Sequence, residues 1–352
     1  MQIDYHFYGI YTLCRLAGIN EAISKKIAYS SQHTDDAKYD HVLKFQNGGR
    51  YKQEMSAHHF IDLKVASDEV GFDIFIPFHF LPGLIGDVYE EKLVCRQNSE
   101  IAVEMLKDSI KTIHLPFGIH RIGISLHVYA DTWAHDGFNG LRSPFNEVIN
   151  LKCNGREGKG KLRDKIGVGI KGLIWQLKKL LMPMLPPIGH AQAITSPDEP
   201  YLCWRYLNHE MVLIESNNLK KVTESLFYIY KFLSEDLLKA KEEIFIEPAK
   251  EWGDIKEKLE NIFRLEESSE NRLLNWQHKL SEGYFGFTSS IVYDDREWFG
   301  EAVKVISQEG HSDKYESKAD FSRSDWRLFQ NAIKYHRFYI KSRLLAEHDI
   351  YI

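Results

Sequence analysis

Apolar residues recur at helical spacing in three stretches of the first half of the chain. Residues 5–30 follow this spacing and are divided at Gly18 and Asn20, which predicts two helices with a break between them. Residues 98–114 place one apolar stripe on a helix, formed by Ile101, Ala102, Met105, Leu106 and Ile110. Residues 120–135 are apolar around most of the helix, so we expect this helix to be buried.

The stretch 40–90 has a different pattern. Apolar residues alternate near Val42, Leu43 and Phe45, and the apolar run 72–77 ends in a proline, which together predict extended or irregular structure. From about residue 218 to the end, amphipathic helical patterns return. We therefore expect a mainly α fold, a multi-helix domain with a helical C-terminal extension.

Residues 152–187 show the sharpest change of composition. Between Lys152 and Lys179, nine Lys or Arg residues stand against two acidic residues. We interpret 152–187 as an insertion or lid within a domain of residues 1–217, and 218–352 as a helical region packed on that domain. A helix over residues 165–185 fits either a membrane surface, with lysines near anionic head groups, or the protein's own core.

Composition narrows the class of protein. A hydrophobic fraction of 43% is that of a folded chain, and a net charge of -5 gives no overall attraction to nucleic acid or to an acidic membrane. The four cysteines form no CxxC pair, so they predict neither a disulfide framework nor a thiolate zinc site. Because we find no signal-peptide pattern and no apolar run of membrane-spanning length, we expect a cytoplasmic protein, with peripheral membrane contact through 165–185 left open.

The strongest candidate for chemistry is the trio His127, Asp131 and His135. Positions i, i+4 and i+8 drift by only about 40° per step on a helix, so the three side chains share one face. Their neighbours are apolar, and buried imidazoles and carboxylates need partners. A divalent ion such as zinc satisfies them, whereas a hydrogen-bonded core cluster is the alternative.

Further His and Asp residues accompany this trio in the first 210 positions. Asp35 and Asp36 end the second predicted helix, His79 lies in an aromatic strand or turn, and a Pro-bounded loop carries His190 and Asp198. We expect the histidines after residue 218 to be exposed and to bind no ion. The candidate metal ligands, enough for two or three ions, are His6, Asp35, His79, His127, Asp131, His135 and His190.

Five ordered segments carry a resemblance to known proteins. Together they resemble an uncharacterised bacterial family of unknown function, over roughly residues 1–210. The HxxxDxxxH motif is also distantly similar to the core helix of the zinc-dependent phospholipase C and P1 nuclease superfamily, in which a mostly helical domain holds zinc ions that hydrolyse phosphate esters. The segments are DYHFYGIYTLCRLAG, SSQHTDDA, FHFLPG, GISLHVYADTWAHDGF and IGHAQAITSPDEPYLCW.

The resemblance implies a metal-dependent hydrolase of phosphate esters, phospholipase C-like or nuclease-like. Its cofactor would be zinc or another divalent transition ion, and its substrate a phospholipid head group or a nucleic acid. Asp131 would bridge two ions, and Asp36 or Asp198 would orient water or act as general base.

Two departures from the superfamily concern the third ion. Secreted members bind an ion through an N-terminal Trp, whereas this chain begins with Met1, so we expect that ligand to be missing unless His6 replaces it. The second helical HxxxD/E pair is also missing. Since Ile194 is the fourth residue after His190, Asp198 would have to substitute from the loop.

Two other functions stay open, and a third motif is set aside. The protein could be a non-catalytic interaction or membrane-associated protein with a structural metal site, for which a closed four-ligand shell would be the sign. His135 and Asp136 form an adjacent pair as in HD-type phosphohydrolases, although neighbouring helix residues point about 100° apart. Residues 155–162 match the GxxxxGK spacing of a phosphate loop, but Leu162 replaces the Ser/Thr that would hold Mg²⁺, so we do not expect nucleotide binding.

Overall fold

The computed structural model of the protein describes residues 1–58, 67–154, 187–306 and 314–352. Helices dominate these residues, which confirms the mainly α fold. Within the described ranges, no helix has both the length and the apolar character needed to cross a bilayer. The predicted lid or docking segment lies outside the described residues apart from its two ends, as do the phosphate-loop spacing and the stretch 165–185.

The first two helices form as the sequence predicts. A π-helical turn, Asp4–Gly9, leads directly into α1 (Ile10–Leu16), and α2 spans Glu21–Asp36. Gly18 adopts a φ of +94°, and an added Cβ would lie 2.0 Å from a facing carbonyl oxygen, so the turn requires glycine. The Asn20 side chain then caps α2 by accepting a backbone hydrogen bond.

Only part of the stretch 40–90 is extended. Residues near Val42 are extended, as predicted: strands β1 (Val42–Lys44) and β2 (Arg50–Lys52) form an antiparallel hairpin. The apolar run 72–77 is instead helical, which corrects the prediction. Pro77 has no N–H to donate to the Asp73 carbonyl, four residues earlier, and this carbonyl accepts a hydrogen bond of 2.9 Å from Arg337 Nε instead. We call this irregular helix α3; its consecutive pieces are Asp68–Val70, Gly71–Phe75 and Ile76–Phe78.

Helix α5 is the axis of the fold. It spans Gly118–Ala134, follows α4 (Glu100–Lys111), and every residue except Ile119 is buried. Helices α2 and α4 pack against it. At Gly123 an added Cβ would lie 2.4 Å from the Ile27 carbonyl oxygen, so α2 and α5 approach at backbone distance.

A small antiparallel sheet lies beside the end of α5. Its strands β3 (Ile149–Cys153), β4 (Cys203–Leu207) and β5 (Leu213–Asn217) pair in the order β3-β4-β5. The sheet has a small core of its own, in which Trp204 stacks on Tyr206. The connection from β3 to β4 includes the described residues 187–202, which form two short 3-10 turns and carry two of the predicted site residues.

The C-terminal part is mostly helical, as predicted, but a hairpin of β6 and β7 interrupts it. The long helices α6 and α10 pack on α5, and one continuous core contains residues from Tyr5 to Ile350. The division of the chain at residue 217 stays a prediction. These elements are α6 (Asn218–Lys231, continuing to residue 240), α7 (Trp252–Phe263), α8 (Ser269–Ser281), α9 (Glu297–Ala302), β6 (Val303–Ile306), β7 (Lys314–Ser317) and α10 (Asp325–Tyr339).

His336 on α10 corrects the expectation that the late histidines are exposed. It is fully buried, its Nε2 lies 3.2 Å from the Pro77 carbonyl oxygen, and its ring stacks on Phe78. His336 lies on the apolar face of α10, which packs against α3 and α5. The charged neighbours of His336 in the sequence led us to expect an exposed side chain. His278 and His348 are exposed or nearly so, as expected, and His311 lies outside the described residues.

Candidate metal centre

Four donor atoms converge where α2, α3 and α5 meet. Asp35 at the end of α2, His79 directly after α3 and His127 on α5 form what we call the central group. His127 Nε2 lies 3.2 Å from His79 Nδ1, and both nitrogens lie 3.7 Å from Asp35 Oδ1 and 3.2 Å from Asp131 Oδ2. Donors around a tetrahedral zinc ion at about 2.1 Å lie about 3.4 Å from one another, so these spacings suit one ion.

The opposite oxygen of Asp131 belongs to a second set, the N-terminal group, made with His6 and His127. His6 Nε2 lies 3.2 Å from Asp131 Oδ1, and the His6 ring stacks on His127 at 3.9 Å. The Met1 ammonium donates a hydrogen bond of 2.9 Å to the same oxygen and lies 3.3 Å from Asp198 Oδ1. Asp131 thus presents one oxygen to each group, as a bridging carboxylate would.

The loop group contains His135, His190 and Asp198. His135 is the C-cap of α5, and its Nε2 lies 3.5 Å from Asp198 Oδ1; His190 Nε2 lies 3.7 Å from Asp198 Oδ2. Gly189 has a φ of +48°, and an added Cβ would lie 2.5 Å from the Phe80 ring, so glycine brings the loop against the site. The 3-10 turn Ser196–Asp198 then returns the carboxylate to the two imidazoles.

Backbone carbonyls fix the orientation of three imidazoles. His79 Nε2 lies 2.8 Å from the Ser56 carbonyl oxygen, His135 Nδ1 lies 2.7 Å from the His79 carbonyl oxygen, and His190 Nδ1 lies 3.0 Å from that of Ile194. In a neutral ring, the N–H donates to the carbonyl and the other nitrogen keeps a lone pair. The three nitrogens that keep a lone pair all face carboxylates, whose oxygens also offer only lone pairs. A cation bound between nitrogen and oxygen would remove this repulsion. Hydrogen bonds from the other ring nitrogen to a backbone carbonyl are typical of metal-binding histidines.

Two buried atoms of the loop group face one another at 3.5 Å, His135 Nε2 and Asp198 Oδ1. Among the described residues, His135 Nε2 has no hydrogen-bond partner, and Asp198 Oδ1 has only the ion pair with the Met1 ammonium at 3.3 Å. Burial, with a smaller effect from the His135 charge, lowers the pKa of His190 and outweighs the Asp198 charge, which raises it, so the pKa lies below its usual value and this ring is neutral near pH 7. Buried polar atoms without a partner are costly, and an ion between them would satisfy both.

The charges of the site are unbalanced. Burial alone would raise the pKa of Asp131, but the Met1 ammonium and the imidazoles of His135 and His127 outweigh it and hold that pKa well below its usual range. Asp198 behaves likewise beside His190 and Met1. Burial lowers the pKa of the Met1 ammonium, yet Asp131 and Asp198 raise it to about 11. With Asp35, the site holds three carboxylates and one ammonium, an excess of negative charge that favours a divalent cation.

His79 shows what replaces a cation when none is bound. Burial lowers its pKa, but the hydrogen bond to Asp131 and the Asp35 charge outweigh burial, so the pKa lies above the usual value. A proton on Nδ1 therefore occupies the position at which an ion would bind. Proton and ion compete for this nitrogen, so ion binding at the central group weakens as the pH falls.

The structure brings together all seven predicted ligands and also Asp198, which we predicted as a catalytic residue. It does not bring Asp36 to them: this carboxylate accepts hydrogen bonds from Gln32, Tyr293 and Lys38 instead. Since Asp35 and Asp36 point about 100° apart on α2, only one of them can face the site.

Asp136 also lies outside the three groups. Its carboxylate pairs with Arg96 at 3.8 Å and with Lys221 at 3.5 Å, so it does not act together with His135. The arrangement offers no support for an HD-type pair. The sequence analysis expected the N-terminal ligand to be missing because Met1 stands where the superfamily has Trp; the structure instead places the Met1 α-amino group at Asp131 and Asp198, since this group does not depend on the side chain.

Within the described residues, the site is open on one side. The Asp35 side chain is 31% exposed and that of His190 21%, whereas His6 and His127 are fully buried. Solvent therefore reaches the central group past Asp35 and the loop group past His190. The N-terminal group is the closed end of the centre.

The comparisons with known proteins identify a family without assigning an activity. No curated protein and no solved structure shows significant similarity to the chain. One family model matches residues 1–344, which include all three ligand groups and helices α1 to α10. The chain therefore belongs to DUF6765, a family of unknown function.

Proposed function

We propose that this protein is a metal-dependent hydrolase of phosphate esters. The observation that carries the proposal is the convergence of Asp35, His79, His127 and Asp131, whose donor atoms are mostly spaced at 3.2–3.7 Å. Zinc is the ion best suited to a set of imidazoles and carboxylates. The central and loop groups would hold one ion each, and Asp131 Oδ1 with His6 would contribute to a further position.

An ion at these groups would lower the pKa of a water molecule and offset the charge that develops on a phosphate oxygen. The chain itself orients the imidazoles through the carbonyls of Ser56, His79 and Ile194. Its exposed edge at Asp35 leaves room for water and substrate. The low pKa of Asp198 makes it a weak proton acceptor, which favours a ligand role over that of general base.

The alternative function is a structural metal site in an interaction protein. A structural ion has four protein ligands and no open position. The partial exposure of Asp35 and His190 favours the open arrangement and therefore catalysis. A bound ion combined with no hydrolytic activity on any phosphate ester would favour the structural role.

The test combines metal analysis with a substrate screen. We expect the purified protein to contain at least one zinc ion per chain by mass spectrometry, and to hydrolyse bis(p-nitrophenyl) phosphate, p-nitrophenyl phosphorylcholine or single-stranded nucleic acid. Chelation should abolish turnover, zinc should restore it, and Asp131→Asn should remain inactive while Asp136→Asn remains active. A metal-replete protein with no ion bound at Asp131, or full turnover by Asp131→Asn, would refute the proposal.

A further inference from the structure

Arg272 reaches the metal centre from α8, far along the chain from every predicted ligand. Its side chain is buried, and each of its three nitrogens has a partner. Nε donates to Asp4 Oδ2 at 2.8 Å, Nη1 donates to the Glu267 carbonyl at 2.9 Å, and Nη2 contacts the Gln2 side chain. Two of these three partners belong to the first four residues of the chain.

Asp4 connects Arg272 to the turn that carries His6 of the N-terminal group. It is buried, it begins the π-helical turn that contains His6, and its Oδ1 accepts the Tyr5 backbone N–H at 3.0 Å. The two carboxylate oxygens therefore join Arg272 to the backbone of that turn. His6 lies two residues further, with its ring stacked on His127 and its Nε2 at Asp131.

The same guanidinium also meets the loop that carries Asp198. Its Cζ lies 5.5 Å from the centre of the Tyr201 ring, and the Tyr201 hydroxyl donates to Glu199 Oε2 at 2.6 Å. Glu199 follows Asp198 directly in the chain. Arg272 thus contacts both segments that deliver ligands to the two sides of the Met1 ammonium.

We infer that Arg272 is a positioning residue for the metal centre: it holds the turn bearing His6 and the loop bearing Asp198 at the distances that ion binding needs. The inference rests on the proposed function, because it assigns a role within the same centre. Loss of an outer partner of a metal ligand typically weakens ion binding about 10- to 100-fold. Asp35, His79 and His127 have no contact with Arg272, so the central group should keep its affinity.

A second buried pair provides a matched control. Arg121 on α5 is fully buried and donates to Asp108 Oδ2 at 2.6 Å, on the α4 side of the helix. Loss of either pair should lower the stability of the folded protein, since each leaves a buried charge without its partner. Only the pair of Arg272 and Asp4 adjoins the turn bearing His6 and the loop bearing Asp198, whereas Asp108 lies on α4, which carries no predicted ligand, so only loss of the first pair should change metal binding.

The first experiment is a zinc titration against a chromophoric chelator, with native protein, Arg272→Met, Arg272→Lys, Asp4→Asn and Asp108→Asn. We expect Arg272→Met and Asp4→Asn to bind one zinc ion as the native protein does and the next ion at least about tenfold more weakly. Arg272→Lys should recover part of this loss, and Asp108→Asn should bind as the native protein does. A native isotherm for folded Arg272→Met, or an equal loss in Asp108→Asn, would overturn the inference.

The second experiment needs no metal and separates this inference from the proposed function. Modification of His6 by diethyl pyrocarbonate is followed by mass spectrometry on metal-free protein. We expect His6, which is fully buried, to react at least about tenfold faster in Arg272→Met than in native protein or Asp108→Asn, because its turn opens locally. If native protein binds no zinc, the proposed function fails and this labelling alone decides the positioning role. Equal labelling in all three would refute it.

Discussion

The central and loop groups present similar side chains on different supports. The central group is built on α2, α3 and α5, whose positions are set by buried helix packing and by the backbone contact at Gly123. The loop group has one helix-borne member, His135, while His190 and Asp198 stand on residues 187–202. The most exposed imidazole of the two groups is His190, at 21%, whereas His127 is fully buried; the exposed member of the central group is the carboxylate Asp35.

Two buried amide side chains, and not helix packing, hold the loop that carries His190 and Asp198. Asn218 at the start of α6 donates to the carbonyls of Ser196 at 2.6 Å and Glu199 at 2.8 Å, on either side of Asp198. Asn146 donates to the carbonyl of Pro187 at 3.2 Å, where the described part of the loop begins. A few hydrogen bonds hold the loop group in place, whereas a large hydrophobic core holds the central group. We therefore expect the central group to bind its ion more tightly.

Asp131→Ala should break the centre as a whole, because both groups adjoin this carboxylate. We expect loss of zinc binding and of all hydrolysis. In metal-free protein we expect a loss of about 3 kcal/mol in the free energy of unfolding, since the Met1 ammonium and the imidazoles lose a buried counter-charge. Urea denaturation and metal analysis measure the two effects.

Asp136→Asn is the control for this variant. Its partners, Arg96 and Lys221, lie near the surface, so we expect a change below about 1 kcal/mol and native zinc content. Native zinc affinity in Asp131→Ala would contradict the shared role of this residue.

Gly123→Ala should affect the central group more than the loop group. The added methyl would lie 2.4 Å from the Ile27 carbonyl oxygen and 2.5 Å from Ser30 Cβ, so α2 must move away from α5 and take Asp35 with it. We expect about 1–3 kcal/mol of destabilisation and weaker binding of the tightest zinc ion. Denaturant unfolding and the zinc titration measure these changes.

The matched control is Gly300→Ala on α9, where nothing lies within 4 Å of an added Cβ. Since alanine favours helix by up to about 1 kcal/mol relative to glycine, this variant should be neutral or slightly more stable. If the two alanine variants behave alike, the close approach of α2 and α5 does not govern the central group.

Asn218→Ala should affect the loop group and spare the central one. It removes two donors to the backbone beside Asp198 and leaves the indole N–H of Trp204, 2.9 Å from Asn218 Oδ1, without its acceptor. We expect about 1–3 kcal/mol of destabilisation and loss of the weaker zinc ion only.

Asn217→Ala is the control, because its side chain caps α6 through the Lys220 N–H and does not touch the loop. A lost cap typically costs about 1 kcal/mol, so stability should fall without a change in zinc stoichiometry. Loss of the tighter ion in Asn218→Ala would show that the two groups are not independently supported.

The smallest expected effect concerns His336, which contacts Pro77 and Phe78 at the end of α3, just before His79. Burial, followed by the Arg121 charge, lowers the pKa of His336 to about 3 in the folded protein, against 6.5 for the free side chain. Below about pH 6.5 the unfolded chain gains a proton that the folded protein does not accept, so stability is full above this pH and falls as the pH falls toward 3. Part of the stability of native protein should therefore be lost in this window.

Urea unfolding of metal-free protein at pH 7 and pH 5.5 measures this contribution. His336→Gln should lose about 1 kcal/mol less than native protein between these two values. His278→Gln, at an exposed position on α8, should lose as much as native protein. An unchanged pH dependence in His336→Gln would show that this imidazole is protonated in the folded state.

Helical phase made part of the site predictable. The spacing of His127, Asp131 and His135 specifies one face of α5, and their contacts follow from it. On α2 the sequence analysis took Asp35 as a metal ligand and Asp36 as an orienter of water or general base, and helical phase alone does not separate them, because the buried Ser31 leads at i+4 to Asp35 and the buried His33 at i+3 to Asp36. Adjacent acidic residues look equivalent until the buried face of their helix is known.

The remaining errors come from packing between distant segments. His6 and Asp131 were both predicted as ligands, but they are 125 positions apart and their direct contact depends on how α1 meets α5, which no local pattern encodes. The run 72–77 alternates like a strand, yet its residues pack as an irregular helix against α5 and α10. Arg272 was not predicted because its role arises only when α8 reaches the first residues of the chain.

The continuous core has a consequence for biosynthesis. Every predicted ligand lies before residue 200, whereas α10, which covers α5 and contacts Pro77 through His336, is translated after all of them. A nascent chain therefore exposes these imidazoles and carboxylates before the helices that fix their spacing exist. Under the proposed function, ion capture in the final geometry must follow the synthesis of α10, and a chain without α10 is the form most open to binding the wrong metal.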